Sequence, residues 1–176
     1  FPFVKQIASV VQKLAPFDPA KEKKKVTKYI DENQFAVPSV ALNEAGRELT
    51  RLGKLTVEMV ELSSLALIDE NGVGSERVVE MEAKTINPVT KELEGFLNRL
   101  IRTDLSFAQQ KRALQIKTLL VDIERVGDMA EDIAQIGLEK IAEKIPFSEE
   151  AKRGYDTLWR HVYSTYQSAV QAFENG

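Results

Sequence analysis

The spacing of apolar residues beyond Pro38 leaves this chain one class of fold. Leu42, Ala45, Leu49, Leu52, Leu55, Met59, Leu62 and Ala66 recur every three or four positions, a period that places them on one face of a helix. The stripe predicts a helix over about 39–67. Asn71, Gly72 and Gly74 follow, residues that accept the positive φ of a chain reversal. A second helix is expected from Ser75 as N-cap, with Val79, Ala83, Ile86, Val89, Leu93, Phe96, Leu97 and Leu100 on its apolar face. Asn87-Pro88 interrupts that segment; proline lacks a backbone donor, so a kink or restart is expected there.

Ser106 and Gln109 match a capping box, in which each side chain satisfies an orphan backbone N–H. Ile116, Leu119, Ile123, Val126, Ala130, Ile133 and Gly137 continue that third helix to about Lys144, before Pro146. A fourth helix is expected from Ser148, with Ala151, Tyr155, Leu158, Val162, Thr165, Ala169 and Phe173 as its stripe. No segment alternates with period two, so no sheet is expected. Long helices with short connections cover their apolar stripes only by lying side by side. The expected fold is an all-α antiparallel helical bundle: an up-down-up unit of three helices, with a further helix opening a second unit.

Composition removes many function classes. The 176 residues carry a net charge of −3, which gives no electrostatic case for nucleic acid. There is no cysteine, which excludes zinc-thiolate sites and thiol nucleophiles, and the single histidine, His161, is too few for a typical catalytic zinc site. His161 lies beside Trp159 and Tyr163 and reads as a packed or surface residue. A di-iron carboxylate site would need Glu-x-x-His pairs, and Leu158 stands three residues before His161. The chain is therefore read as not an enzyme. It holds no apolar run of membrane-spanning length. It begins with Phe1 and lacks a charged region before an apolar one, so it is expected to be cut from a longer protein and to carry no signal peptide.

Residues 1–37 are read as an amphipathic and basic leader, and 38–176 as the bundle. Phe3, Ile7, Val10, Val11 and Leu14 have helical spacing, and Lys21, Lys23, Lys24, Lys25 and Lys28 follow. Composition alone supports a disordered basic linker and a segment flanking a membrane span equally.

The most informative stretch lies on the third helix. Glu124, Asp128 and Asp132 stand four apart, and each step of four advances about 40° around a helix, giving a drifting acidic ridge. Such carboxylates repel unless a cation intervenes, and a metal ion is one solution. A solvated face partly neutralised by Arg125 or Lys117 is the other, favoured on spacing alone because charged helix faces are common. Gly127 costs about 1 kcal/mol relative to alanine inside a helix and suggests close approach of a neighbour.

Glu124-Arg125-Val126-Gly127-Asp128-Met129-Ala130, followed by Asp132-Ile133-Ala134, resembles the E-R-x-G-D-x-A-x-x-I-A signature of the PhoU family. The resemblance implies three-helix units, commonly paired, with metal-binding acidic residues four apart on two helices. It places the first pair at Glu124 and Asp128, with Glu80 and Glu82 as weaker candidates on the second helix. Asn87 stands where the family often has an aspartate. A divalent or iron-type ion would be the cofactor. Family members repress phosphate-starvation signalling beside a phosphate transporter, and related domains form the cytosolic part of bacterial sodium/phosphate cotransporters.

The segment Phe1 to Leu14 also looks like the tail of such a cotransporter's membrane domain. The expectation is therefore a non-catalytic regulatory domain of a sodium-dependent phosphate symporter, at the cytoplasmic face of the inner membrane within an integral membrane protein. Its partners would be the membrane domain of the same polypeptide and, optionally, a second copy in a homodimer. Bilayer contact would come only through the leader, and nucleic acid is not expected. The alternative is a free-standing PhoU-type phosphate-signalling adaptor.

Overall fold

A computed structural model describes residues 25–69 and 72–175. The first 24 residues of the expected leader, with its apolar segment and most of its lysines, lie outside them. Among the described residues there are only helices and their connections: α1 (Pro38–Asp69), α2 (Gly72–Met81), a π-helical turn (Glu82–Ile86), α3 (Asn87–Ile101), α4 (Phe107–Glu143) and α5 (Glu149–Asn175). This is the expected all-α bundle.

Every other element packs on α1, and α4 makes the most extensive contact with it. The α2–π turn–α3 arm lies against both, so these elements form the three-helix unit. Leu49, Leu52 and Met59 from α1 meet Leu93, Phe96, Leu97 and Leu100 from α3 and Ile116 and Leu120 from α4 in one continuous core. Each such side chain contributes about 1.5–3 kcal/mol on burial.

The third helix begins as its sequence predicts. Ser106 Oγ accepts from Gln109 N while Gln109 Oε1 accepts from Ser106 N. It ends at Lys144 in the left-handed conformation, φ 54°, two residues before Pro146. The second helix differs. It begins at Gly72, and Ser75 lies buried inside it rather than capping it.

The fourth helix is turned relative to its predicted stripe. Tyr155 and Phe173 do face the bundle, but Leu158 and Val162 are exposed, and Trp159, Tyr163, Tyr166 and Val170 take the inward positions. Large aromatics reach across to α1 and supply polar tips as well as area. Trp159 Nε1 donates to Val60 O at 3.2 Å, and Tyr166 Oη lies 2.6 Å from Thr56 Oγ1.

Residues 25–37, read from sequence as the end of the linker, close one end of the bundle. Asp31 and Gln34 form a capping box over a 3₁₀ helix (Glu32–Ala36). Ile30 is buried, and the Phe35 ring stands 4.9 Å from Phe96. Glu48, fully buried on α1, accepts from the Lys28 and Tyr29 amides at 2.8 and 2.7 Å and pairs with Arg51. A buried carboxylate is tolerated when it is bonded on all sides in this way.

Helix α5 approaches α1 at Gly53, where a Cβ would lie 3.1 Å from Val170 Cγ1 and 3.3 Å from its Cγ2. A β-branched residue on a helix has little rotamer freedom to yield. Gly53→Val is therefore expected to lever α5 off α1 at a cost of about 1–3 kcal/mol. Trp159 is the only tryptophan, so its emission reports this docking directly. A red shift with far-UV helicity largely retained is the expected result; unchanged emission would show that α5 does not depend on this contact.

Candidate functional site

The site originates in the proline of the second helical arm. Pro88 has no N–H, and its ring crowds the carbonyl four residues back. The helix accommodates it by widening into the π turn, where Asn87 N–H bonds Glu82 O, five residues back. The interruption expected at Asn87-Pro88 thus takes the form of a π turn just before it. The wider turn rotates the segment upstream, so that Ser75, Val78 and Glu82 face inward in line with Ile86. The predicted inward face is corrected accordingly: Val79 is only half-buried and Ala83 is exposed.

A carboxylate is thereby carried into the interior. Glu82 is 1% exposed, and neither of its carboxylate oxygens has a hydrogen-bond partner. It points at Gly127 on α4, where a Cβ would stand 2.8 Å from Glu82 Oε2 and 3.4 Å from Ile86 Cγ2. A glycine at 127 leaves the room that this side chain occupies.

Around Gly127, α4 presents Glu124 and Glu131, both half-buried, and Asp128, exposed. Burial first, then the charges of Asp128, Glu131 and Glu124, push the Glu82 carboxyl up to about 7. The structure therefore brings Glu82 together with Glu124 and Asp128 and adds Glu131, which the sequence pattern did not single out. It does not bring Glu80: that residue is exposed and bonded by Lys84 Nζ at 2.6 Å, a contact that holds its carboxyl below the usual range. Lys117, one of the two expected neutralising cations, is turned toward Asn98 Oδ1 at 2.7 Å.

The arrangement suits a proton or a cation on grounds of charge, since a buried carboxylate facing three others lacks any positive partner. It is not a convergent ligand shell. Among the described residues no group of three acidic or histidine side chains stands close enough to hold a metal ion. A cleft of about 830 Å³ lies elsewhere, lined by Tyr29, Arg47, Arg51, Lys54, Arg112 and Phe173 among others, and none of the acidic candidates lines it. His161 is exposed on α5.

The family model described as the PhoU domain matches residues 49–137, a span from α1 through most of α4. The chain is 23% identical over 176 residues to proteins of Salmonella typhimurium and Escherichia coli K12, each described as "Putative inorganic phosphate export protein YjbB". That match covers 99% of this chain and 32% of theirs, so the chain spans about a third of the length of these relatives. It is also 28% identical over 100 residues to a Synechocystis protein described as "Phosphate-specific transport system accessory protein PhoU homolog", covering 56% of this chain and 44% of that one. No solved structure matches.

The expected placement within an integral membrane protein is corrected by these findings. No helix among the described residues is long and apolar enough to cross a membrane. The family match is to the PhoU domain, and none of these descriptions mentions sodium or a symporter.

The raised Glu82 carboxyl has a consequence for stability in metal-free buffer. Between 4.5, its ordinary value, and about 7, the folded chain keeps a proton that the unfolded chain has released. Stability therefore falls as pH rises through that window, and this contribution is flat above it. Glu82→Gln, which keeps shape without charge, should remove that slope and stabilise the chain by up to roughly 3 kcal/mol at about pH 8. Urea unfolding of both proteins from about pH 5 to pH 8 checks this; parallel pH profiles would show that Glu82 is not the group responsible.

Proposed function

This chain belongs to the PhoU domain family, and from that membership we propose that it is a non-catalytic regulatory module of cellular phosphate handling. The observation that carries the proposal is the family match from α1 through most of α4, the three-helix unit on which the acidic patch is built. The chemistry agrees. The patch offers charge and a titratable carboxyl, as suits a group that responds to its surroundings.

Between the finer readings, a signalling adaptor is favoured by the similarity to a phosphate-transport accessory protein. A module within a larger phosphate-export protein is the second reading, favoured by an alignment that runs along 99% of this chain. Removing the gene from its host separates the two. An adaptor predicts that a phosphate-starvation reporter, alkaline phosphatase for instance, rises several-fold in phosphate-replete medium. An export module predicts slower phosphate efflux from loaded cells with the reporter unchanged. If neither changes, a role in phosphate handling is wrong.

Within this reading we assign Glu124 and Asp128, with Glu82 behind them, as the groups that a divalent or iron-type cation would address; Glu80 stands outside. Any such ion would act by relieving the repulsion among these carboxylates. A cation that binds only the folded state raises the melting temperature with its concentration. Manganese, zinc and anaerobic ferrous iron should each be tested for that rise in wild type and for its loss in Glu124→Ala and Asp128→Ala. A rise of equal size in all three proteins, or none in wild type, removes the cation from the proposal.

A further inference from the structure

Helix α4 is apolar on two sides. Its buried side is built largely of small residues, Ala113, Gly127, Ala130, Ala134 and Gly137, with Ile116, Leu120 and Ile123 between them. Its opposite side carries Phe107, Leu114, Val121, Met129 and Ile136, exposed by 85%, 56%, 47%, 54% and 54%. These five stand seven or eight residues apart, near two helical turns, so they form one stripe about 80° wide along the helix. Lys111, Thr118, Arg125 and Asp132, all exposed, fill the positions between them. No ordinary surface helix needs a row of large apolar side chains on the face turned away from its own core.

Read in order, the line is Phe107, Lys111, Leu114, Thr118, Val121, Arg125, Met129, Asp132, Ile136. Reversed, it matches itself. Phe107 falls opposite Ile136, Leu114 opposite Met129, and Lys111 opposite Asp132, so the centre lies between Val121 and Asp122 and Val121 comes beside its own copy. This is the property of an isologous interface, in which one patch meets its own copy across a two-fold axis. From 107 to 136 the line extends for roughly 44 Å of helix, a length over which two helices can bury a continuous seam.

We propose that the chain forms a homodimer by packing α4 against α4 of a second copy, antiparallel, with the two-fold axis passing close to Val121. Apolar layers alternate along the seam with Lys111–Asp132 pairs, two per dimer. The apolar layers supply the affinity, and the charges set the direction: a parallel pairing in register would place Lys111 against Lys111 and Asp132 against Asp132. The proposal is independent of the function assigned above, because it uses no acidic-patch residue as a ligand and no property of phosphate.

Sedimentation velocity of the 176-residue chain from about 1 to 100 µM, where mass action moves a dimer equilibrium, tests the proposal. The chain should dimerise, and Val121→Arg should weaken the dimer at least tenfold. Lys111→Glu and Asp132→Lys should each weaken it several-fold, and the double charge swap should recover it. All these positions are exposed, so circular dichroism should show an unchanged fold.

The absence of cysteine allows a second readout. Val121→Cys should crosslink under mild oxidation, whereas Phe107→Cys, roughly 44 Å from its copy in this arrangement, should not. A monomer at every concentration would hand the stripe to a different partner and overturn the proposal. So would a dimer that survives Val121→Arg, a dimer weakened instead by Leu158→Arg on the outer face of α5, a swap that fails to recover, or crosslinking through Phe107→Cys.

Discussion

Close approach between α1 and its neighbours is the constraint from which the rest of this structure follows. α1 touches every other element, and it can do so because small residues stand at the contacts. Gly53 admits Val170 of α5 and Ile123 of α4, and Thr56 lies beside Gly127. α4 answers with its own buried row of alanine and glycine. Packing at native density through small residues brings backbones together, and beyond Ile116, Leu120 and Ile123 the buried side of α4 is lined by alanine and glycine, while five larger apolar side chains stand on the outer side. The exposed line on α4 and the tight seam beneath it are two results of one distribution of side-chain sizes.

The same closeness makes the acidic patch. Gly127 admits a neighbour, and the neighbour that arrives is Glu82. Hydrogen bonding separates this carboxylate from the other buried one. Glu48 has two backbone amides and Arg51, so its charge is met where it lies. Glu82 has no hydrogen-bond partner and three carboxylates for neighbours, so its charge is opposed. A structure that satisfies one buried glutamate so fully and leaves the other unmet keeps the second responsive to protons and cations.

Much of the fold was legible because it depends on local rules. The Ser106–Gln109 capping box, the stop before Pro146 and the apolar period of α1 each need only a few adjacent residues, and each appears as read. The inward face of α2 was not legible. Periodicity favours Val79 and Ala83 over Val78 and Glu82, since it ranks side chains by polarity and assumes a constant 3.6 residues per turn. The π turn breaks that assumption, and Pro88 was its only visible signal. Likewise α5 was turned by the aromatic reach of Trp159 and Tyr166 to α1, a tertiary contact that no window of sequence contains. In the site, Gly127 correctly announced a close approach, yet what approached depended on the π turn. Glu131 went unmarked because it lies off the four-residue ridge and joins the patch only by facing Glu82.

The charge layout of α4 bears on both of its faces. Lys111, Arg112 and Lys117 occupy its first third, while Asp128, Glu131, Asp132 and Glu139 occupy its second half. A helix macrodipole favours the opposite arrangement, acids near the N-terminus and bases near the C-terminus. The effect fades within a turn of either end, so the penalty here is small, but nothing in the helix itself rewards the order. An antiparallel copy does, because it brings the basic third of each α4 alongside the acidic stretch of the other.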